Sequence, residues 1–359
     1  MKRILFIIGT LDMCNGITSY AMNYYRALKN DFIIDFVVHE NANETHSIFY
    51  DEITESGGLV YFVGNASIKK LLTLNKKIDA IFRMNKYDII HCHLLNLSPF
   101  YFKQGKKFKI KHRILHSHAT KYAEKKSRVL RNWFLGKIGI SRATCFMACS
   151  KMAGDFLYKK KPYILINNGI NGQLYKYDAT LATQYRDALH LKNDYVIGHI
   201  GRFSEQKNHK FILDVFEQVY LQNHNVTLLL IGDGPLYESI QEDAKNLKSF
   251  AKIQFLGTRK DVNHLLSAMD ILILPSLFEG FPVISIEAQF NGVPMLISSN
   301  VTQECGINSN IKFLPLEKKI WVEKLSKQDE ARVEPSKEIN EYDIEHCYSK
   351  LRDEYMKMN

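Results

Sequence analysis

Pro275 to Pro294 reads PSLFEGFPVISIEAQFNGVP and directly follows the apolar run Ile271 to Leu274. After Pro282 a new apolar pattern begins at helical spacing, through Val283, Ile286 and Phe290. The pattern predicts strand, loop and helix, with Pro282 at the first helical position, where a missing N–H does no harm. Glu279 then falls in the loop and Glu287 about a turn and a half inside the helix. Gly280 sits where backbone comes close to something, and the helix start offers unpaired N–H groups and the positive end of its dipole to an anion. Two carboxylates so placed suit a ligand with hydroxyls to grip and a phosphate to cradle, as in a nucleotide sugar. Two arbitrary glutamates would ordinarily be solvated charges, so the setting gives this pair its weight.

A chain of 359 residues with 46% hydrophobic content is expected to build two domains, each with its own core. Charged residues at 24% and eight prolines argue against extensive disorder. Cys14, Cys92, Cys145, Cys149, Cys305 and Cys347 are scattered, without a C-x-x-C pair or a histidine partner at metal-site spacing. They read as reduced thiols of a cytosolic protein. MKRILFIIG at the start reads as a buried first strand rather than a signal peptide, and no run approaches the ~18 apolar residues of a membrane span. The formal charge of +10 is unevenly spread: Lys103 to Lys161 holds 17 Lys and Arg against Glu124 and Asp155, which leaves the remainder net acidic.

Short β-rich runs alternate with helical patterns through the first half, at 3–8, 32–38, 59–63, 88–91, 113–115, 144–148 and 164–166. Such spacing implies right-handed crossovers and a parallel sheet, whose ligands sit at the C-terminal ends of the strands. The first loop, GTLDMCNG, is bracketed by Gly9 and Gly16 and lacks the G-x-G-x-x-G of a dehydrogenase. Two later strands end in His91-Cys92-His93 and His116-Ser117-His118. Residues i and i+2 point the same way, but no carboxylate or cysteine completes a metal set, and no metal is expected. Lys125 to Ile140 interleaves Val129, Leu130, Trp133, Phe134, Leu135 and Ile138 with Lys125, Lys126, Arg128, Arg131 and Lys137. It is either a core-packed helix with a basic outer face or an interfacial helix on anionic lipid. Nucleic acid would need aromatic platforms or a reading helix, which are missing.

The second half repeats the alternation at 195–200, 226–231, 253–256, 270–274 and 295–298. In the loop GRFSEQKNH, Arg202 and Lys207 fit a diphosphate, arginine as a bidentate clamp and lysine as a point charge. No D-x-D occurs, so the charge of a leaving diphosphate must be met by these two cations and the helix start rather than by a metal.

The order strand, Pro-Ser, Glu279-Gly280-Phe281-Pro282, helix, Gly-Val-Pro resembles the two-glutamate segment of the retaining GT-B glycosyltransferases of family 4, near their capsular and exopolysaccharide branch. RILHSHAT, GRFSEQKNH, GDGPLYE and Gly257-Thr258-Arg259 extend the resemblance over nearly the whole chain. It implies an α/β protein of two Rossmann-like domains whose parallel sheets face a central cleft. Residues 1–168 would form the acceptor side, 169–339 would bind the nucleotide sugar, and a last helix at about 340–359 would pack back on the first domain. By this resemblance Glu279 faces the hydroxyls of the donor sugar, Glu287 holds the ribose, and the backbone of Gly280 and Phe281 meets the phosphates. Arg202 and Lys207 neutralise the leaving nucleoside diphosphate, the loop at Thr258 holds the base, and Gly16 lets backbone approach the phosphates or the acceptor. His118 approaches donor sugar and acceptor, which makes it, with Glu279, a catalytic candidate. The implied partners are a UDP-sugar, a lipid-linked saccharide acceptor and an anionic membrane surface bound peripherally from the cytoplasm, with no cofactor.

Two other readings stay open from sequence: a nucleotide-sugar 2-epimerase of the same architecture, and a catalytically weak partner of another transferase. Epimer formation from UDP-sugar alone would identify the first. Intact Arg202, Lys207, Glu279 and Glu287 speak against the second.

Overall fold

The computed structural model describes residues 1–12, 15–40, 48–65, 71–123, 126–191 and 193–358. Cys14, Glu124 and Lys125, named above, lie outside them. The chain divides into two compact units, Met1–Gly169 with Ile344–Asn359, and Ile170–Asp343.

The first unit is a parallel sheet of seven strands, β1 (Arg3–Ile8), β2 (Ile33–Val38), β3 (Val60–Phe62), β4 (Ile89–Cys92), β5 (His112–Ser117), β6 (Cys145–Ala148) and β7 (Ile164–Leu165). They lie in the order β3-β2-β1-β4-β5-β6-β7. The connecting helices are α1 (Gly16–Leu28), α2 (Ile48–Glu55), α3 (Leu71–Met84), α4 (Ser98–Lys107), α5 (Lys126–Arg142) and α6 (Lys151–Tyr158). The continuous apolar run of β1 follows from burial on both faces. Ile4, Phe6 and Ile8 join one core with Tyr20, Tyr24 and Tyr25 of α1, while Leu5 and Ile7 join another with Tyr101 and Phe102 of α4.

The second unit carries α7 (Ala179–Ala188), β8 (Tyr195–Ile200), α8 (His209–Gln222), β9 (Val226–Ile231), α9 (Tyr237–Lys245), β10 (Ile253–Gly257) and α10 (Val262–Ala268). Next come β11 (Ile271–Leu274), α11 (Val283–Asn291), β12 (Met295–Ser298), β13 (Ile311–Leu314) and α12 (Lys318–Lys327). Its parallel sheet runs β10-β9-β8-β11-β12-β13. In each sheet the order reverses beside the first strand, between β1 and β4 and between β8 and β11, and ligands of open α/β sheets bind beyond the strand ends at such a point. The loop after β11 is the stretch Pro275–Pro282, and it lies at this point. Strand β13 escaped sequence reading because it is four residues long, half-buried throughout and contains Lys312.

The sequence put the breaks after 168 and 339; the two units divide after Gly169 and Asp343. Residues up to Asp343 stay with the second unit because Tyr342 stacks on Phe281 with ring centroids 5.4 Å apart and Ile170 bridges to Asp343. The last helix, α13 (Ile344–Lys357), belongs to the first unit. Its Cys347, Leu351 and Tyr355, one turn apart each, enter the core beside α1. Lys2 Nζ donates to the carbonyl oxygens of Tyr355, Met356 and Met358 at 2.8–2.9 Å, putting a cation on the negative end of this helix.

Leu351 is fully buried, so Leu351→Ala should destabilise the first unit by about 2–5 kcal/mol. Each unit holds one of the two tryptophans, Trp133 and Trp321. Urea unfolding followed in Trp133→Phe and Trp321→Phe backgrounds should show an earlier midpoint for the first unit, with the second unmoved.

Candidate active site

In the second unit Glu279 is 9% exposed, and its carboxylate is met on both oxygens. Lys207 Nζ lies 2.6 Å from Oε1, and the Ser276 hydroxyl donates to the same oxygen at 3.0 Å. Gln206 Nε2 donates to Oε2 at 2.9 Å and also to the Phe278 carbonyl at 3.0 Å. The Leu277 N–H donates to the Gln206 carbonyl at 2.8 Å, so the loop after β8 is bonded along its length to the loop after β11. Burying a carboxylate costs several kcal/mol unless its lone pairs are met, and these contacts meet them. Sequence reasoning paired Lys207 with phosphate and missed Gln206 and Ser276 as holders of Glu279.

Arg202 stands exposed just past β8, with no hydrogen bond or ion pair among the described residues. The loops after β8, β9 and β10 are joined backbone to backbone: Gly201 N–H donates to the Ile231 carbonyl, Phe203 N–H to Asp233, and Gly232 N–H to Gly257. Gly232 has φ +133°, and a Cβ there would lie 2.2 Å from the Gly201 carbonyl oxygen, so only glycine permits this join. Thr258 is exposed after β10.

Helix α11 begins one residue later than expected: Pro282 is the N-cap, and it has no side-chain acceptor for the first N–H groups. Helix α1 differs. Its N-cap Asn15 accepts from Ile17 N–H at 3.0 Å and Thr18 N–H at 3.2 Å, using two donors that an anion would seek. Gly16 opens that helix, and a Cβ added there would meet nothing within 4 Å. Gly280 is half-buried beside Glu279, and the Phe281 ring is buried under Tyr342.

Glu287 lies on α11 and accepts from the Tyr175 hydroxyl at 2.9 Å on Oε1. Desolvation raises its pKa to about 7, with the tyrosine bond pulling the other way. Tyr175 is 112 positions earlier, and no spacing rule reaches it.

The first unit gathers the two histidine pairs into one array at the ends of β4 and β5. His91 Nε2 and His116 Nδ1 are 2.9 Å apart, as are His93 Nδ1 and His118 Nε2. His91 stacks on His93, and His116 on His118, with centroids 4.3 Å apart in both cases. His91 Nδ1 bonds the Tyr355 hydroxyl of α13, and the Tyr20 ring meets His116 and His118 edge-on. Burial lowers the pKa of all four histidines, that of His118 to about 3, so the array is neutral at physiological pH. His91, His93 and His116 offer ligand atoms within 4.8 Å of one another, a set of three that reading by pairs did not anticipate. A separation of 2.9 Å is that of an N–H···N bond, whereas two nitrogens on one zinc ion stand about 3.3 Å apart at tetrahedral geometry. His91 Nε2 and His116 Nδ1 are thus engaged with one another, and His93 Nδ1 is engaged with His118.

With this geometry in view, the chain can be compared with known proteins. The family model described as Glycosyltransferase Family 4 matches residues 14–173, and that described as Glycosyl transferases group 1 matches 182–329. EpsF of Bacillus subtilis, designated a glycosyltransferase, is 29% identical over 318 residues, 84% of this chain and 80% of that protein. The capsular polysaccharide biosynthesis glycosyltransferase CapH of Staphylococcus aureus is 24% identical over 324 residues, 85% of this chain and 86% of its own length. An Escherichia coli UDP-Gal:alpha-D-GlcNAc-diphosphoundecaprenol alpha-1,3-galactosyltransferase is 23% identical over 321 residues, 83% of this chain and 80% of that enzyme. Among solved structures, Anabaena HepE in complex with UDP and glucose superposes with a TM-score of 0.82 at 17% identity, over 99% of this chain and all of the other.

Glu287 titrates near 4.5 when solvated and near 7 in the fold, so the fold favours its protonated form. That contribution is fully present below about 4.5 and is lost as pH rises through about 7. Melting temperatures scanned across this window should show the wild type falling relative to Glu287→Gln as pH rises. Parallel curves would remove the buried-carboxyl description.

Proposed function

The chain belongs to the family 4, group 1 glycosyltransferases of the capsule and exopolysaccharide branch, and from that premise we propose that it moves a sugar, with retention, from a UDP-sugar to a lipid-linked saccharide without a metal ion. The observation that carries this reading is the clamped Glu279 of the loop after β11 beside Lys207, whose loop after β8 also carries the exposed Arg202, at the switch point of the second sheet. Negative charge grows on the leaving diphosphate as the glycosidic bond breaks. Arg202, Lys207 and the uncapped start of α11 are fixed donors that gain strength as that charge appears. Lys207 has three ammonium protons, so it can keep Glu279 while turning another toward phosphate. Glu279 accepts from sugar hydroxyls, and Glu287 in its ionised form accepts from ribose. The E. coli relative acts on a diphosphoundecaprenol-linked sugar and HepE was solved with UDP, which supports this choice of acceptor and donor.

Helix α5 supports a peripheral membrane role. Its inner side is set by Gly136 and Gly139; a Cβ on Gly139 would lie 2.0 Å from the Ser98 hydroxyl, so the helix approaches α4 closely. Leu130 is 73% exposed and Phe134 58%, one turn apart on the outer side with Lys126, Arg128 and Arg131. Trp133, expected with Phe134 at the lipid, is half-buried, with the Lys137 ammonium 3.8 Å from its ring centroid. An apolar pair ringed by cations suits an anionic interface. No described helix is long and apolar enough to cross a membrane.

Transfer from UDP-sugar donors onto a polyprenyl-diphosphate saccharide tests the chemistry. Arg202→Ala or Lys207→Ala should slow it by a factor on the order of 10² to 10³, and EDTA should leave the wild type active. Unchanged turnover in both variants, or an absolute need for Mg²⁺ or Mn²⁺, would sink the reading.

Co-sedimentation with vesicles tests the surface. Binding to anionic vesicles should weaken at 1 M salt, where the Debye length falls to about 3 Å, and weaken further when Lys126, Arg128 and Arg131 are neutralised or Leu130 and Phe134 become serine. Equal binding to neutral and anionic vesicles, or none at low salt, would return α5 to the role of a solvated face.

A further inference from the structure

Each neutral imidazole carries one proton, and in the array at the ends of β4 and β5 the neighbours decide which nitrogen has it. His93 uses Nδ1 toward His118, while its Nε2 is buried with no partner. If His93 held its proton on Nε2, a buried N–H would be left unmet, at a cost of about 1–3 kcal/mol. Orphaned buried donors are rarer than under-used acceptors. The proton therefore belongs on His93 Nδ1, which donates to His118 Nε2 across 2.9 Å. His118 Nε2 is then the acceptor, and the only proton of that ring sits on Nδ1.

His118 Nδ1 has no protein partner among the described residues, and His118 is the half-buried member of the array, where His91, His93 and His116 are buried. Stacking on His116 and the edge of Tyr20 hold the ring in place. We propose that His93 is a positioning residue that locks His118 as a hydrogen-bond donor through Nδ1, so that His118 grips a ligand oxygen such as a sugar hydroxyl and takes no proton from it. A base would need a bare nitrogen facing the ligand, and here the bare nitrogen faces His93. Only the sugar as ligand rests on the transferase reading; the tautomer does not.

The full chain labelled with ¹⁵N-histidine, without donor or acceptor, gives the test by two-bond ¹H–¹⁵N correlation, in which protonated and bare ring nitrogens resonate far apart. The His118 ring is assigned by its loss in His118→Gln. At pH 7 the wild type should show His118 as Nδ1–H. His93→Asn, whose amide N–H occupies about the place of Nδ1–H, should keep that form. His93→Leu should release the ring to the Nε2–H form that free imidazole side chains prefer. Nε2–H in the wild type, or Nδ1–H retained in His93→Leu, overturns the proposal. Should His93→Leu fail to fold, the wild-type tautomer still decides, because Nε2–H there is incompatible with donation from His93. A correct tautomer in a protein that transfers no sugar would leave this arrangement standing and remove only the transferase reading.

Discussion

A carboxylate withdrawn from water must find donors for its lone pairs, and Glu279 finds all of them on two loops that are far apart in sequence. Lys207 and Gln206 come from the loop after β8, and Ser276 comes from its own loop after β11. The conformation of either loop therefore depends on the other. Asn208, held in the left-handed region at φ 60°, adds a bond from its amide to the Pro275 carbonyl at 3.2 Å. Removing one partner would leave charge unmet in a dry place, which is dearer than the pair itself is worth. A functional charge is thus also the pin of the local fold.

The same economy holds at the ends of the strands. Parallel sheets covered on both faces leave their C-terminal edges as the place where loops are free to vary, and the two units use those edges differently. The second joins its loops backbone to backbone through Gly201, Gly232 and Gly257 and sets charge among them. The first sets four uncharged imidazoles there, stacked and bonded to one another. Burial holds those rings neutral, so the edge of the first sheet can offer directed hydrogen bonds without presenting charge.

Much of this was legible in the sequence because it is local. Apolar runs broken by glycine and proline gave nearly all the strands, and the two sheets follow from strand spacing and handedness. The glutamates at 279 and 287 and the cations at 202 and 207 could be placed on their elements by pattern alone. What escaped depends on three-dimensional neighbours. Gln206 and Ser276 stood inside quoted stretches, yet nothing in their spacing says that they converge on Glu279. Tyr175 reaches Glu287 across four strands of the second sheet, β8 to β11. For helix α5 the sequence left a core-packed and an interfacial reading side by side, because it could not show that Gly136 and Gly139 form the inner side and leave Leu130 and Phe134 outside. A glycine face has no hydropathy signal.

Helix α13 gives the first unit its last wall, yet the ribosome makes it after every residue of the second unit. Until Cys347, Leu351 and Tyr355 have emerged, the groove beside α1 stays uncovered, and Lys2 and His91 lack the partners that await them. The second unit, by contrast, is continuous in sequence from Ile170 to Asp343 and has all its parts before α13 leaves the tunnel. Birth order and completion order are therefore inverted: the domain translated first is the one finished last. A nascent chain stalled anywhere before Ile344 holds an open core in its N-terminal half, which is the surface a chaperone would find.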